Sequence, residues 1–211
     1  EVRYLEAAVA CADFLEREMW REGALLRSWR QGKGRGPSFL EDDGAVAIGL
    51  VDLYESTFDV RWLDWAESLC EGLRVRYEDT QGGFFATRAD QLDVILRQKP
   101  ALDQSLPSAN ALAVEALLRV GYHRGRQDFL ASAERALTFF APMLQQVPRA
   151  TLGLLKGLDL ALHGPVEVVV AGEAGDPGTV ALLRTAWVSA VPRRLVALVP
   201  PGGERTAMEA E

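Results

Sequence analysis

PSFLEDDGAVAIGLVDLYESTFDVRWLDWAESLCEGL, residues 37–73, is the stretch whose reading decides the fold. Ala45 to Val51 is apolar nearly all the way round, the mark of a buried helix. A turn at Phe58-Asp59 follows. Beyond it Trp62, Trp65, Ala66, Leu69, Cys70 and Leu73 recur at spacings of three and four, which makes one apolar face and an amphipathic helix. A buried helix followed by an amphipathic one predicts a hairpin with an inner and an outer member.

Working outward, the hairpin repeats. YLEAAVACADFL at Tyr4, WLDWAESLCEGL at Trp62 and FLASAERALTFF at Phe129 share one pattern: aromatic-Leu, a polar gap, Ala, then apolar residues one turn on. Such self-similarity marks a repeated supersecondary unit. The inner type recurs as ANALAVEALLRVGY, residues 109–122, and again over residues 151–162. Inner helices are therefore expected near 40–56, 108–122 and 150–162, and outer helices near 2–19, 61–76 and 127–145. The first outer helix has no inner partner in this chain, and the chain starts at Glu1 without a Met, so a fragment of a longer protein is expected. Alone it should expose apolar surface around Tyr4 and Val9.

Inner-to-outer turns are short, whereas residues 21–38 and 78–107 are long connections that lead into inner helices. Each carries a Gly and a strand-like run, GALLRSWR and GGFFATR. Long loops in a compact domain are functional or disordered, and these gather where the positive ends of the inner helices meet. After His163-Gly-Pro the pattern changes: VEVVVAG reads as a buried strand, Asp176-Pro177 as a cap and first helical position, and RRLVALV as a second strand. A strand–helix–strand unit of this kind is right-handed with parallel strands. GEAGDPG is not the dinucleotide fingerprint and reads as an ordinary loop and cap. The fold expected is mainly α, a partial (α/α) six-hairpin toroid over 1–163, a β-α-β appendage over 164–203 and a flexible tail over 204–211.

The 211 residues are 48% hydrophobic and 25% charged, with net charge −7, the make-up of a soluble globular chain. With no long basic run, nucleic acid is not an expected partner. No apolar run is long enough to span a bilayer, and no signal peptide is visible, so neither membrane nor secretion is expected and a cytoplasmic location fits. Cys11 and Cys70 each fall inside a helix and are expected as two buried thiols rather than a disulfide.

The segments PSFLEDDGAVAIGLVDLYESTFDVRWLDWAESL, GGFFAT, SLPSANALAVEALLRVG and VEVVVAG, in this order, resemble the spermatogenesis-associated protein 20 family of thioredoxin-domain-containing proteins, from about Tyr4 to Val199. The resemblance implies a thioredoxin-like domain and further hairpins upstream, and a toroid similar to N-acylglucosamine 2-epimerases and six-hairpin glycosidases, of which this chain is the last part. The chain departs from the family pattern in three places. Gly44 stands where an aromatic is expected, Asp103-Gln104 where Asp-Gly is expected, and Ser108-Ala109-Asn110 where Ser-Gly-Asn is expected.

The expected site is the mouth at the inner-helix N-termini. Aligned on Trp62 and Phe129, Asp43 falls level with Asn110, and Asp103 precedes the second inner helix. Asp42, Asp43 and Asp103 are the candidate catalytic carboxylates, because paired carboxylates across a cavity suit glycosidic chemistry. Arg27, Trp29, Glu41, Phe84, Ser108 and Asn110 are the candidate substrate-binding residues, with Trp29 and Phe84 as stacking platforms for a sugar and Arg27 for an anionic group. Against this stands simple helix capping by Asp and Asn. His123 and His163 lie away from the mouth, so a catalytic His is missing there, and no metal constellation or cofactor is expected. Glu115, inside a buried helix, is either an acid with a raised pKa or a paired structural carboxylate. Two functions follow: a carbohydrate-active domain, epimerase- or glycosidase-like, with a small sugar ligand; or a non-catalytic toroid that binds a ligand or partner for an upstream thioredoxin-like domain.

Overall fold

A computed structural model describes residues 2–91 and 94–201. The chain is mainly helical with two small sheets. Helix α1 (Val2–Phe14) runs into a single π turn (Leu15–Met19), and a three-stranded antiparallel sheet follows: β1 (Trp20–Arg21), β2 (Ala24–Arg30) and β3 (Lys33–Pro37). Then come two helical hairpins, α2 (Leu40–Thr57) with α3 (Val60–Tyr77), and α4 (Ala109–Arg124) with α5 (Gln127–Gln146). Helix α6 (Leu152–His163) is a third inner member. The chain continues as β4 (Val166–Ala171), α7 (Pro177–Val188) and β5 (Arg194–Val199), with β4 and β5 parallel and in register from Val166 opposite Arg194 to Ala171 opposite Val199.

The local causes are plain. The first hairpin turns on Phe58, whose φ of 56° puts the C-cap in the left-handed region, and Asp59 then accepts from the Arg61 N–H as N-cap of α3. The second turns on Gly125 at φ 64°. The apolar faces read from periodicity do the packing: Trp62, Ala66, Leu69 and Leu73 on α3 and Phe129, Ala133 and Ala136 on α5 are buried against the inner helices.

Inner helices α2, α4 and α6 run parallel and approach closely because glycines face their neighbours. A Cβ at Gly44 would lie 3.1 Å from Leu112 Cβ, one at Gly153 2.7 Å from Ala111 Cβ, and one at Gly157 2.7 Å from Val114 Cγ1. This gives Gly44 its reason: the α2–α4 contact leaves no room for the aromatic that the family pattern led us to expect.

The first helical run reaches Met19 as expected, as an α-helix to Phe14 and a π turn beyond it, and the chain then enters β1. Four expectations are corrected. Cys11 is exposed, since α1 covers the core along Leu5, Val9, Ala12 and Phe14 and Cys11 lies off that face; Cys70 is buried, and burial pushes its thiol pKa up. Helix α2 is not buried all round: Ala47, Leu50 and Val51 are covered, but Glu41, Ala45, Gly49, Asp52 and Ser56 form an open stripe one helical face wide. GGFFATR forms only an isolated bridge between Glu78 and Phe84. Strand β4 is mostly exposed: Val169 stays 51% exposed, and the local core is Val170, Leu183 and Val196, with Phe58 packed against it. The tail expected over 204–211 lies outside the described residues. Tyr4 is exposed and Val9 half-buried. Among the described residues no helix is long and apolar enough to cross a membrane.

Candidate functional site

At the N-terminal ends of the inner helices, the polar groups singled out in the sequence are held mostly by backbone. Asp103 accepts from the Ser108 N–H at 2.8 Å with one oxygen and from the Gly153 N–H at 2.7 Å with the other. One carboxylate thus ties the start of α4 to the start of α6, where helix dipoles favour negative charge. Ser108 is the N-cap of α4 and accepts from Ala111 N–H at 3.2 Å. Asn110 is fully buried; its Oδ1 accepts from Phe84 N–H at 2.8 Å, and its Nδ2 donates to Phe84 O at 2.9 Å and Pro100 O at 2.8 Å. Asn110 therefore clamps two ends of the long connection onto α4, and Phe84 is a core ring with no exposed surface.

Asp43 is fully buried between α2 and α3, where Arg76 donates to its Oδ2 at 2.9 Å. Its Oδ1 has no hydrogen-bond partner among the described residues. Burial pushes the Asp43 carboxyl above the usual carboxylate range despite the Arg76 charge. Beside it Tyr77 donates to Ser38 O at 3.0 Å, and burial, then the Asp43 charge, push the phenol up to about 12.

Glu41 and Asp42 sit together on the outer lip. Arg27 of β2 donates to Glu41 Oε1 at 2.9 Å and Asp42 Oδ2 at 2.6 Å, and stacks 4.3 Å over the Phe39 ring. Asp42 Oδ2 also accepts from Phe39 N–H at 2.8 Å, the return half of a capping box whose N-cap residue, Phe39, has no acceptor of its own. Trp29 packs edge-on against Phe14, ring centres 5.4 Å apart, and so serves α1.

The structure brings Arg27, Glu41 and Asp42 together, Asp103 with Ser108, and Asn110 with Phe84. Asp43 and Asp103 share no hydrogen-bond partner among the described residues. A carboxylate with both oxygens taken up by backbone N–H groups is anchored, which suits a cap better than a proton donor.

Sequence reasoning passed over the opposite end of the same helices. There Glu55 of α2 and His123 of α4 are buried, with His123 Nε2 2.9 Å from Glu55 Oε1. Arg119 reaches Asp52 at 2.6 Å and Glu55 at 3.2 Å. Tyr54 packs edge-on against the His123 ring at 5.3 Å. The signal was available: Arg119 and His123 are four residues apart and share a helix face. Glu115 lies on this face as well and meets α6, where Lys156 donates to it at 2.6 Å.

No protein-family model matches the chain. Spermatogenesis-associated protein 20 of Homo sapiens is 30% identical over 208 residues, covering 93% of this chain and 26% of that protein. This chain is homologous to a part of spermatogenesis-associated protein 20. The Mus musculus protein of the same name is 31% identical over 211 residues, covering 90% of this chain and 26% of its own length. The Rattus norvegicus one is 31% identical over 199 residues, with 89% and 25% covered. The chain thus spans about a quarter of the length of the spermatogenesis-associated protein 20 relatives it matches.

Proposed function

We propose that this chain is an arc of an (α/α) six-hairpin toroid, residues 1–163, with a β-α-β unit, residues 164–203, attached to it, and that it works as a non-catalytic binding and assembly module of a longer protein. Parallel inner helices with parallel outer helices behind them support the arc, because each further hairpin added in the same way continues a ring. The observation that carries the non-catalytic reading is the use of the mouth carboxylates: Asp103 is spent on two backbone N–H groups and Asp43 on a buried pair with Arg76. Glu41 and Asp42 are likewise bound by Arg27. The partners proposed are the thioredoxin-like domain and remaining hairpins expected upstream, in a cytoplasmic protein.

The competing reading is a carbohydrate-active mouth with Asp42, Asp43 and Asp103 as catalytic groups. A panel of mono- and disaccharides titrated into the full chain and into Asp103→Asn separates the two. The module reading expects no saturable sugar binding and a lowered melting temperature for the variant. Sugar binding or turnover that Asp103→Asn abolishes while the melting temperature holds would sink it.

A further inference from the structure

The β-α-β unit leaves a strand edge open. Strand β4 pairs with β5 alone among the described residues. The ends of the ladder fix its phase: Val166 N–H donates to Arg193 O at 2.9 Å, and Gly172 N–H to Val199 O at 3.0 Å. Successive residues of a strand turn their backbone groups to opposite sides. Val166, Val168 and Val170 therefore serve β5, and the N–H and C=O groups of Glu167, Val169 and Ala171 point away from it. We propose that two copies of this chain pair through this edge, β4 against β4, antiparallel about a twofold axis at Val169.

A free edge is a template for another strand, and monomeric sheets guard it with Lys, Pro or a bulge. Strand β4 has none of these. Its register with β5 is unbroken from Val166 to Ala171, and VEVVVA holds neither Lys nor Pro. The apolar surface beside the edge is open too. A groove of about 410 Å³ runs along the strand, lined by Val168 to Ala171 and by Leu182, Thr185 and Ala186 of α7. Val169 and Leu182 are both exposed.

The strand is complementary to itself in one register. With the axis at Val169, that residue exchanges both backbone bonds with the partner's Val169, and Glu167 exchanges both with the partner's Ala171. Every outward N–H and C=O of Glu167, Val169 and Ala171 then finds a partner. The two exposed valines cover each other, a favourable β-branched pair, and each Glu167 side chain lies opposite an alanine. Neighbouring registers are worse. An axis at Glu167 sets two carboxylates opposite each other, and one at Val170 sets Glu167 opposite Glu173. An axis at Val168 sets Ala171 against Pro165, which has no N–H to give. The surface lies outside the mouth, so the outcome bears on neither reading of the mouth carboxylates.

The test is sedimentation equilibrium of the full chain at low salt over a range of concentrations. A monomer–dimer equilibrium is expected for wild type. Val169→Lys and Val169→Glu should each weaken it by about tenfold, because like charges then meet across the axis and the valine pair is lost. An equimolar mixture of the two variants should associate more tightly than either alone, since residue 169 of one meets residue 169 of the other with opposite charge. That recovery also shows that both variants are folded. Val75→Lys, at an exposed position on α3, should leave the equilibrium within about twofold of wild type. A wild type that stays monomeric at the highest concentration it tolerates would overturn the proposal. So would association that Val169→Lys leaves intact or that Val75→Lys weakens equally, or a mixture no tighter than its components.

Discussion

The two ends of the inner helices use the same residue types in opposite ways. At the N-terminal end Asp103 and Asn110 face backbone groups of the chain itself. At the C-terminal end Asp52, Glu55, Glu115, Arg119, Lys156 and Asp159 face one another or a pocket. A carboxylate that satisfies backbone N–H groups is part of the fold, because a helix start has donors with no internal partner. A carboxylate paired with a mobile cation can be exchanged for a ligand. Polar residues near a helix N-terminus thus carry a weaker functional signal than the same residues facing each other across inner helices.

The sharpest way to break this contrast is Asn110→Ala. It leaves Phe84 N–H, Phe84 O and Pro100 O without their partner, and each buried orphan costs about 1–3 kcal/mol. A loss of about 4 kcal/mol in urea unfolding is expected; a loss under about 1 kcal/mol would show that the clamp is dispensable. Asp103→Ala comes next, at about 2 kcal/mol, the upper range for losing a helix cap because two helix starts lose their acceptor together. Lys156→Ala, at the other end, should change stability by less than about 0.5 kcal/mol, as an exposed pair does.

A pH series sharpens the comparison without mutating a ligand. In the first turn of α5, just past the C-terminal end of α4, hydrogen bonds from Arg126 hold Asp128 down to about 2 from an ordinary 3.8. A depressed folded pKa contributes stability that is fully present above the unfolded value and lost as pH falls. The stability difference between wild type and Asp128→Asn should therefore shrink as pH falls from 3.8 to about 2. Asp43 has the opposite sign: its raised folded pKa makes the ionised form costly, so acidification through that raised value toward 3.8 relieves the penalty. Wild type should accordingly gain on Asp43→Asn as pH falls through that window. Chemical unfolding of wild type and both variants at a series of pH values measures both effects, and a common sign would contradict the assignment.

Much of the helical order was legible because apolar spacing reports which face of a helix meets a neighbour. Trp62, Leu69 and Phe129 were placed on buried faces from spacing alone, and all three are buried. The first hairpin turn was legible for the same reason, since Phe58-Asp59 interrupts the period. The candidate site was far less legible. The identity of Asp43, Asp103 and Asn110 allows both catalysis and capping, and only their partners separate the two uses.

What sequence alone determined here is local: the inner and outer character of the helices, the hairpins, the β-α-β unit and the likeness to spermatogenesis-associated protein 20. Tertiary structure decided the rest. Whether Cys11 is covered, which stripe of α2 stays open, and why Gly44 admits no side chain depend on distances between segments far apart in the chain. So does the meeting of Glu55, Arg119 and His123. Periodicity records the direction of a side chain from its own helix axis, whereas burial and pairing are set by what another helix places opposite it.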